Sequence, residues 1–245
     1  MRSFFLEHEK VNDTEAIIDG STFNHAKNVY RLKVGDKVTV TTGDNVDYVC
    51  VIKEQTNTEF ICEITEKHSR NSELPIEITI YQGLPKADKM DLIVQKAVEL
   101  GATRIVPVAM KRSVVKLDDK KSEHKIKRWD TIIKNAAEQS KRSILPEITN
   151  VMPFAKAIED AQDSFILLPY ESARGVEYTR EVLSEIAKKK VSIFIGPEGG
   201  FDDDEIDLAK ENGAHIISLG RRILRTETAG LVLASNIIYE LEERE

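Results

Sequence analysis

An apolar run, residues 191–195, stops at Gly196-Pro197-Glu198-Gly199-Gly200, and an acidic helix start follows Phe201 at once. A second strand-like run soon ends the same way, at Leu219-Gly220-Arg221-Arg222-Ile223-Leu224-Arg225-Thr226-Glu227-Thr228-Ala229. Tandem strand ends of this kind, each leading into a helix, fit an α/β sheet. Such a sheet opens its ligand crevice at the carboxyl ends of its strands. One loop is rich in Gly and the other in Arg, which pairs a cofactor with a polyanionic substrate.

The obvious first candidate for the first loop is a phosphate cradle, and its residues argue against one. A cradle uses consecutive backbone N–H groups and usually a Lys. Here Pro197 removes a donor, no Lys follows, and Asp202, Asp203, Asp204 and Glu205 crowd the next helix start. Those acids make good helix chemistry instead. Asp202 as N-cap with Glu205 at N3 forms a capping box, and Phe201 can staple onto Ile206. The glycines still call for positive φ or close approach of a ligand. A neutral or cationic group such as an adenosyl sulfonium suits them better than a triphosphate. In the second loop, three guanidiniums within five residues either bind anions or are solvated surface. Gly230 and Ala234, four apart on the last helix, admit close helix packing within the chain or against a second copy.

Two rhythms divide the chain. Residues 37–42, 46–53 and 59–66 alternate at period two with turns between them, as small β-structure does, and a compact barrel hides such edges. Residues 68–75 are polar and read as a linker. Strands and helices then alternate, with strands at 76–82, 104–109, 165–168, 191–195 and 215–219. Helices are expected at 86–100, 123–140, 176–189, 203–211 and 226–243. Ile126, Trp129, Ile133 and Ala137 share one face of the second helix, and Leu231, Ala234, Ile238 and Leu241 face inward on the last. A mostly parallel sheet with helices on both faces follows.

The net charge of −7 is unevenly spread. Residues 84–142 hold 15 Lys and Arg against 8 Asp and Glu, so a basic middle can bind phosphates within an acidic chain. The stretch 116–128 is part of that stripe, or a solvated loop and helix face. No run is long and apolar enough for a membrane span, and residues 1–10 lack a signal-peptide core. Cytoplasmic residence is expected, with Cys50 and Cys62 reduced. The five histidines lack metal-ligand spacing, so no metal is expected.

With these motifs in view, the chain resembles the SPOUT superfamily of S-adenosylmethionine-dependent RNA methyltransferases, and within it the ribosomal RNA small-subunit methyltransferase E family. The resemblance covers nearly the whole chain. It rests on Met1-Arg2-Ser3-Phe4-Phe5, the stretch from His25 to Asp36, Leu84-Pro85-Lys86 through Gly101, Arg112-Ser113, Glu138-Gln139-Ser140-Lys141-Arg142 and the two loops described first. It implies a small PUA-like β-barrel over residues 1–70. A SPOUT-type α/β domain over 74–245 then follows, ending in a trefoil knot that periodicity alone does not reveal. The implied activity is methylation of N3 of one uridine, position 1498 of 16S rRNA, in the 30S subunit by a homodimer.

For the cofactor the resemblance points to Leu168, Pro169, Gly196, Pro197, Glu198, Gly199, Gly200, Leu219, Gly220, Ile223, Leu224, Thr228 and Ala229. Uridine N3–H is a weak acid, so a guanidinium near a uracil carbonyl would stabilise the ring as its proton leaves. Arg225 is the first choice and Arg222 the second, with Glu227 or Glu198 as a general base. Phosphate contacts are expected from Arg2, Arg31, Lys86, Lys89, Lys111, Arg112, Lys141 and Arg142. A SPOUT enzyme acting on a ribose 2′-hydroxyl or on tRNA, or a non-catalytic ribosome-assembly factor, remains an alternative.

Overall fold

The computed structural model describes residues 1–69, 72–115, 119–173, 175–186 and 190–241. It divides into two compact units, one of residues 1–73 with 137–145 and one of residues 74–136 with 146–245. The segment 137–145, read from sequence as part of the second domain, thus belongs to the first unit.

In the first unit, β1 (Arg2–Phe5), β2 (Glu15–Asp19), β3 (Lys37–Thr41), β4 (Val46–Gln55) and β5 (Glu59–Ser69) form one sheet, in the order β1-β3-β4-β5-β2. A helix, α1 (Gly20–Asn28), follows β2. β1 pairs parallel with β3, and the other pairs are antiparallel. Alternate residues of all five strands, among them Phe4, Ile18, Val40, Ile52 and Phe60, meet Phe23 and Ala26 of α1 in one core. This is a half-barrel, with β1 and β2 at its edges. Cys50 and Cys62 are free thiols inside it, and burial pushes both up to about 12.

Arg142 changes its meaning here. Its side chain is 3% exposed and paired with Glu73. Arg142 Nε donates to Glu73 Oε2 at 3.1 Å, and the Ser143 N–H donates to Glu73 Oε1 at 2.9 Å. A guanidinium so enclosed is a structural partner and does not reach a phosphate. Removing one member of a buried pair strands the other, at a cost of about 3–5 kcal/mol. Arg142→Ala should therefore lower the urea midpoint clearly; a midpoint equal to wild type would contradict this.

The second unit carries β6 (Glu77–Gly83), α2 (Lys89–Glu99), β7 (Arg104–Ala109), α3 (Asp119–Ser140, its last turn in the first unit), β8 (Glu147–Ile148), β9 (Met152–Pro153) and α4 (Phe154–Asp160). It continues through β10 (Phe165–Pro169), α5 (Val176–Ser184), β11 (Lys190–Ile195), α6 (Asp203–Glu211), β12 (His215–Ile217) and α7 (Thr226–Leu241). Strand order is β12-β10-β11-β6-β7-β8, with β9 also on β7, and every pair is parallel. Central strands covered on both faces read as continuous apolar runs. This is why Ile193, Phe194 and Ile195 are all buried. Tyr81 stacks on Phe194 with centroids 4.3 Å apart, over Phe154, Phe201 and Ile206.

Several boundaries moved for local reasons. α2 begins at Lys89, three residues later than expected, because Ala87 takes φ 54° and the Lys86 N–H is bound elsewhere. β12 stops at Ile217 because Thr179 intercepts the next residue. Ser218 N donates to Thr179 Oγ1 at 3.0 Å, and that hydroxyl donates to Ser218 O at 2.8 Å. α5 ends at Ser184, and the expected continuation to 187–189 lies outside the described residues, as do 116–118 of the basic stretch and 242–243 of the last helix.

The buried face of α7 also differs from expectation. It comprises Thr226, Gly230, Leu233, Ala234 and Ile237, while Leu231, Ile238 and Leu241 are half-buried. Gly230 sets this register, since a Cβ there would lie 3.3 Å from Ile195 Cγ1 of β11. Gly230 and Ala234 therefore serve packing within the chain. Among the described residues, no helix is long and apolar enough to cross a membrane.

Candidate active site

Parallel pairing puts the carboxyl ends of β6, β10, β11 and β12 along one edge of the sheet. The loops leaving β10, β11 and β12 meet there around a cavity of about 440 Å³. Pro169, Gly196, Pro197, Glu198, Gly199, Gly200, Ile223, Leu224, Arg225 and Ala229 line it, with Lys89, Arg112, Tyr170 and Thr226. A smaller lobe of about 170 Å³ shares Pro169, Ile223, Leu224 and Ala229 and adds Leu219, Gly220, Arg221 and Arg222. Two expected residues lie elsewhere. Leu168 is fully buried in the sheet core, and Thr228 is exposed on the first turn of α7.

The 196–200 loop is a tight turn closed by Gly200 N–H donating to Pro197 O at 2.9 Å. It is clamped on several sides. Pro197 lies so close to β6 that a Cβ on Gly83 would meet its N and Cδ at 2.7 Å. Arg112 packs against Gly199, and α6 begins immediately after the turn. There Glu205 Oε2 accepts the Asp202 N–H at 2.9 Å, the return arm of the capping box, while Glu205 Oε1 accepts the Lys111 N–H at 2.9 Å. Phe201 and Ile206 share one core cluster, as the staple requires. Lys111 Nζ pairs with Asp202 at 3.1 Å and with Asp204, so the acids that repel a phosphate are partly neutralised by neighbouring bases.

Glu198 is held as a carboxylate. It accepts the Lys86 N–H at 3.1 Å and Lys89 Nζ at 2.8 Å. Burial pushes its pKa up, but the Lys89 ammonium and the backbone donors prevail and hold it below the usual carboxylate range. Such a group is a weak base. Its contribution is complete above the ordinary value of 4.5 and is lost as pH falls through its own lower value. Glu198→Gln should thus cost roughly 1 kcal/mol at pH 7, and the gap to wild type should close below about pH 4.5. A gap in urea midpoint that persists unchanged to pH 3 would refute the clamp.

Glu227 faces Lys89 as well, with Oε2 at 3.3 Å but out of line for a hydrogen bond. Glu227 does not line the cavity. Of the arginines, Arg225 is at the mouth of the larger cavity, 80% exposed and 4.0 Å from Glu227, and Arg222 is at the smaller lobe. Lys86 is exposed, and Arg112 reaches Asp202 at 3.6 Å. In the first unit, Arg2 lies over the Tyr30 ring at 4.2 Å, and Arg31 and Lys141 hold φ 55° and 59°. Sequence reasoning missed Gln82 and Thr226, which connect beneath the cavity. Among the described residues, no cluster has the makings of a metal site.

Known families fit this geometry. Residues 72–238 match the RNA methyltransferase domain model, and residues 18–65 match the RNA methyltransferase PUA domain model. The ribosomal RNA small subunit methyltransferase E of Bacillus subtilis (strain 168) is 37% identical, over 99% of this chain and 98% of that protein. The chain belongs to the ribosomal RNA small subunit methyltransferase E family. Solved structures extend the likeness over nearly the whole chain. The Neisseria gonorrhoeae member bound to S-adenosyl methionine superposes with TM-score 0.85 at 26% identity, covering 98% of this chain and 97% of that one. A Legionella pneumophila methyltransferase in complex with the same cofactor gives TM-score 0.86 at 28% identity, over 97% and 96%.

Proposed function

We propose that this chain transfers a methyl group from S-adenosylmethionine to N3 of uridine 1498 in 16S rRNA of the small ribosomal subunit. The observation that carries the proposal is the backbone-rich cavity where the 196–200 and 223–226 loops meet Pro169. Its glycines and apolar side chains suit an adenosyl group. Gly196, Pro197, Gly199, Gly200, Pro169, Ile223, Leu224 and Ala229 hold the cofactor, Leu219 and Gly220 close the smaller lobe, and Leu168 supports them from below. When bound, the cofactor supplies an electrophilic methyl group.

The chain's own task is to bind and orient the uracil and to favour loss of its N3 proton. Lys89 holds Glu198 below the usual carboxylate range, which makes it a poor base, and Glu227 does not line the cavity, so the proton leaves to water. Arg225 donates to a uracil carbonyl and stabilises the charge that develops there, with Arg222 beside it. Because N3 lies on the pairing edge, the base enters unpaired or flipped out. Arg2, Arg31, Lys86, Lys111, Arg112 and Lys141 supply phosphate contacts, while Lys89 and Arg142 hold internal ion pairs.

The active form is a cytoplasmic homodimer, and the half-buried Leu231, Val232, Ile238 and Leu241 of α7, with exposed Tyr239, supply the contact. A knotted C-terminal threading accounts for a chain that passes from β12, at the sheet edge beyond β10, back to α7 on β11. Labelled S-adenosylmethionine incubated with unmethylated 30S subunits, and separately with tRNA, tests the substrate class. Label is expected in 30S RNA alone. Label in tRNA, or in neither, would reject the proposal.

A further inference from the structure

Gln82 is the one fully buried side-chain amide at the carboxyl end of β6, in a strand whose neighbours Ile78, Ile80 and Tyr81 are apolar. Its Nε2 donates to Gly83 O at 2.9 Å and to Thr226 Oγ1 at 2.9 Å. The Thr226 hydroxyl has one proton and gives it to Gly196 O at 2.6 Å. Three segments far apart in sequence are thus joined in one line: the end of β6, the first residue of α7 and the first residue of the 196–200 loop. Thr226 and Gly196 both line the cavity. On the other side of the same peptide, Pro197 is pinned against Gly83.

Gln82 Oε1, by contrast, is buried with no hydrogen-bond partner. A buried acceptor left unpaired is a cost that an apolar side chain of the same length would remove. The bond from Nε2 to Gly83 O offsets that cost only locally, and it is the bond to Thr226 that reaches the cavity. What an apolar residue cannot do is direct the Thr226 hydroxyl. By donating to Oγ1, Gln82 leaves the hydroxyl proton for Gly196 O and so fixes the Gly196–Pro197 peptide plane.

We propose that Gln82 is a positioning residue for the cofactor loop, acting through the Thr226 hydroxyl on the Gly196 carbonyl. The assignment rests on the reading of this cavity as the S-adenosylmethionine pocket. Calorimetry of cofactor binding to the RNA-free protein, together with thermal unfolding, tests it on Gln82→Met, Thr226→Val and Thr226→Ser. Gln82→Met and Thr226→Val should each weaken S-adenosylmethionine binding about tenfold, and Thr226→Ser should restore it. Gln82→Met should keep its Tm within about 2 °C of wild type or raise it, which a merely structural amide would not do. With saturating cofactor, its single-turnover rate should stay within about threefold of wild type. A Gln82→Met variant that binds the cofactor as tightly as wild type overturns the proposal. So does one whose affinity falls only in step with a loss of Tm. Wild-type protein that fails to bind S-adenosylmethionine overturns the pocket reading itself, and the relay with it.

Discussion

Gly199→Val should abolish measurable S-adenosylmethionine binding while leaving a folded protein. A Cβ at Gly199 would stand 3.0 Å from Arg112 Cβ and 3.2 Å from Arg112 O. The second of these is backbone, so either the 110–113 segment or the 196–200 loop must move. The 110–113 segment is held by Ser113 N–H donating to Met110 O at 3.0 Å and by Lys111 N–H bound to Glu205. The clamps on the loop act on Gly196, Pro197, Glu198 and Gly200, so the exposed Gly199 between them is the part that should yield, into the cavity. Overpacking of this kind costs about 1–3 kcal/mol of stability, which a domain of this size survives. Cofactor affinity should fall at least about 100-fold, or roughly 2.7 kcal/mol. Gly199→Ala, without the two extra methyl groups, should lose only about tenfold. Calorimetry on the folded variants reads both values, and an unchanged affinity in Gly199→Val would remove this loop from the pocket.

Arg225→Ala should leave cofactor affinity within about threefold of wild type and cut the single-turnover rate about 100- to 1,000-fold, the size expected for one lost donor to a developing oxyanion. The two effects separate because Arg225 is 80% exposed at the cavity mouth, on the side from which the proposed substrate would enter. Among the described residues its one carboxylate partner, Glu227, is 4.0 Å away, so little internal structure depends on it. Arg225→Lys keeps the charge without the planar fork and should recover part of the rate. Equal losses in cofactor affinity and rate would instead make Arg225 a cofactor contact. The assignment differs in kind from that of Lys89, whose ammonium is engaged by Glu198 at 2.8 Å; Lys89→Ala should disturb the turn before it disturbs the chemistry.

What the sequence made legible follows from how local each signal is. The strand Arg104–Ala109 and the helix Asp203–Glu211 fall where periodicity and capping place them, because their cues lie within the element. β1 went unread because four residues are too few for a period, and its partner β3 lies more than thirty residues on. The two-residue strands β8 and β9 carry no pattern at all. In the site, the glycines advertised the loops, and both loops line one cavity. Charged residues were harder to read, since a basic side chain looks alike whether it meets solvent or a buried acid. Arg142 finds Glu73 from 69 residues away, and Lys89 finds Glu198 from 109. Gln82 and Thr226 are 144 residues apart; Gln82 belongs to no motif, and Thr226 lies inside the second loop without a signal that marks its hydroxyl.

We propose that this cavity delivers a methyl group to the pairing edge of one uridine. Digestion of 16S rRNA to nucleosides, after reaction of unmethylated 30S subunits with labelled S-adenosylmethionine, tests it most directly. A single labelled product is expected, N3-methyluridine, arising from position 1498 and absent with Gly199→Val. Label in a 2′-O-methylated nucleoside, or in a base other than that uridine, would contradict it.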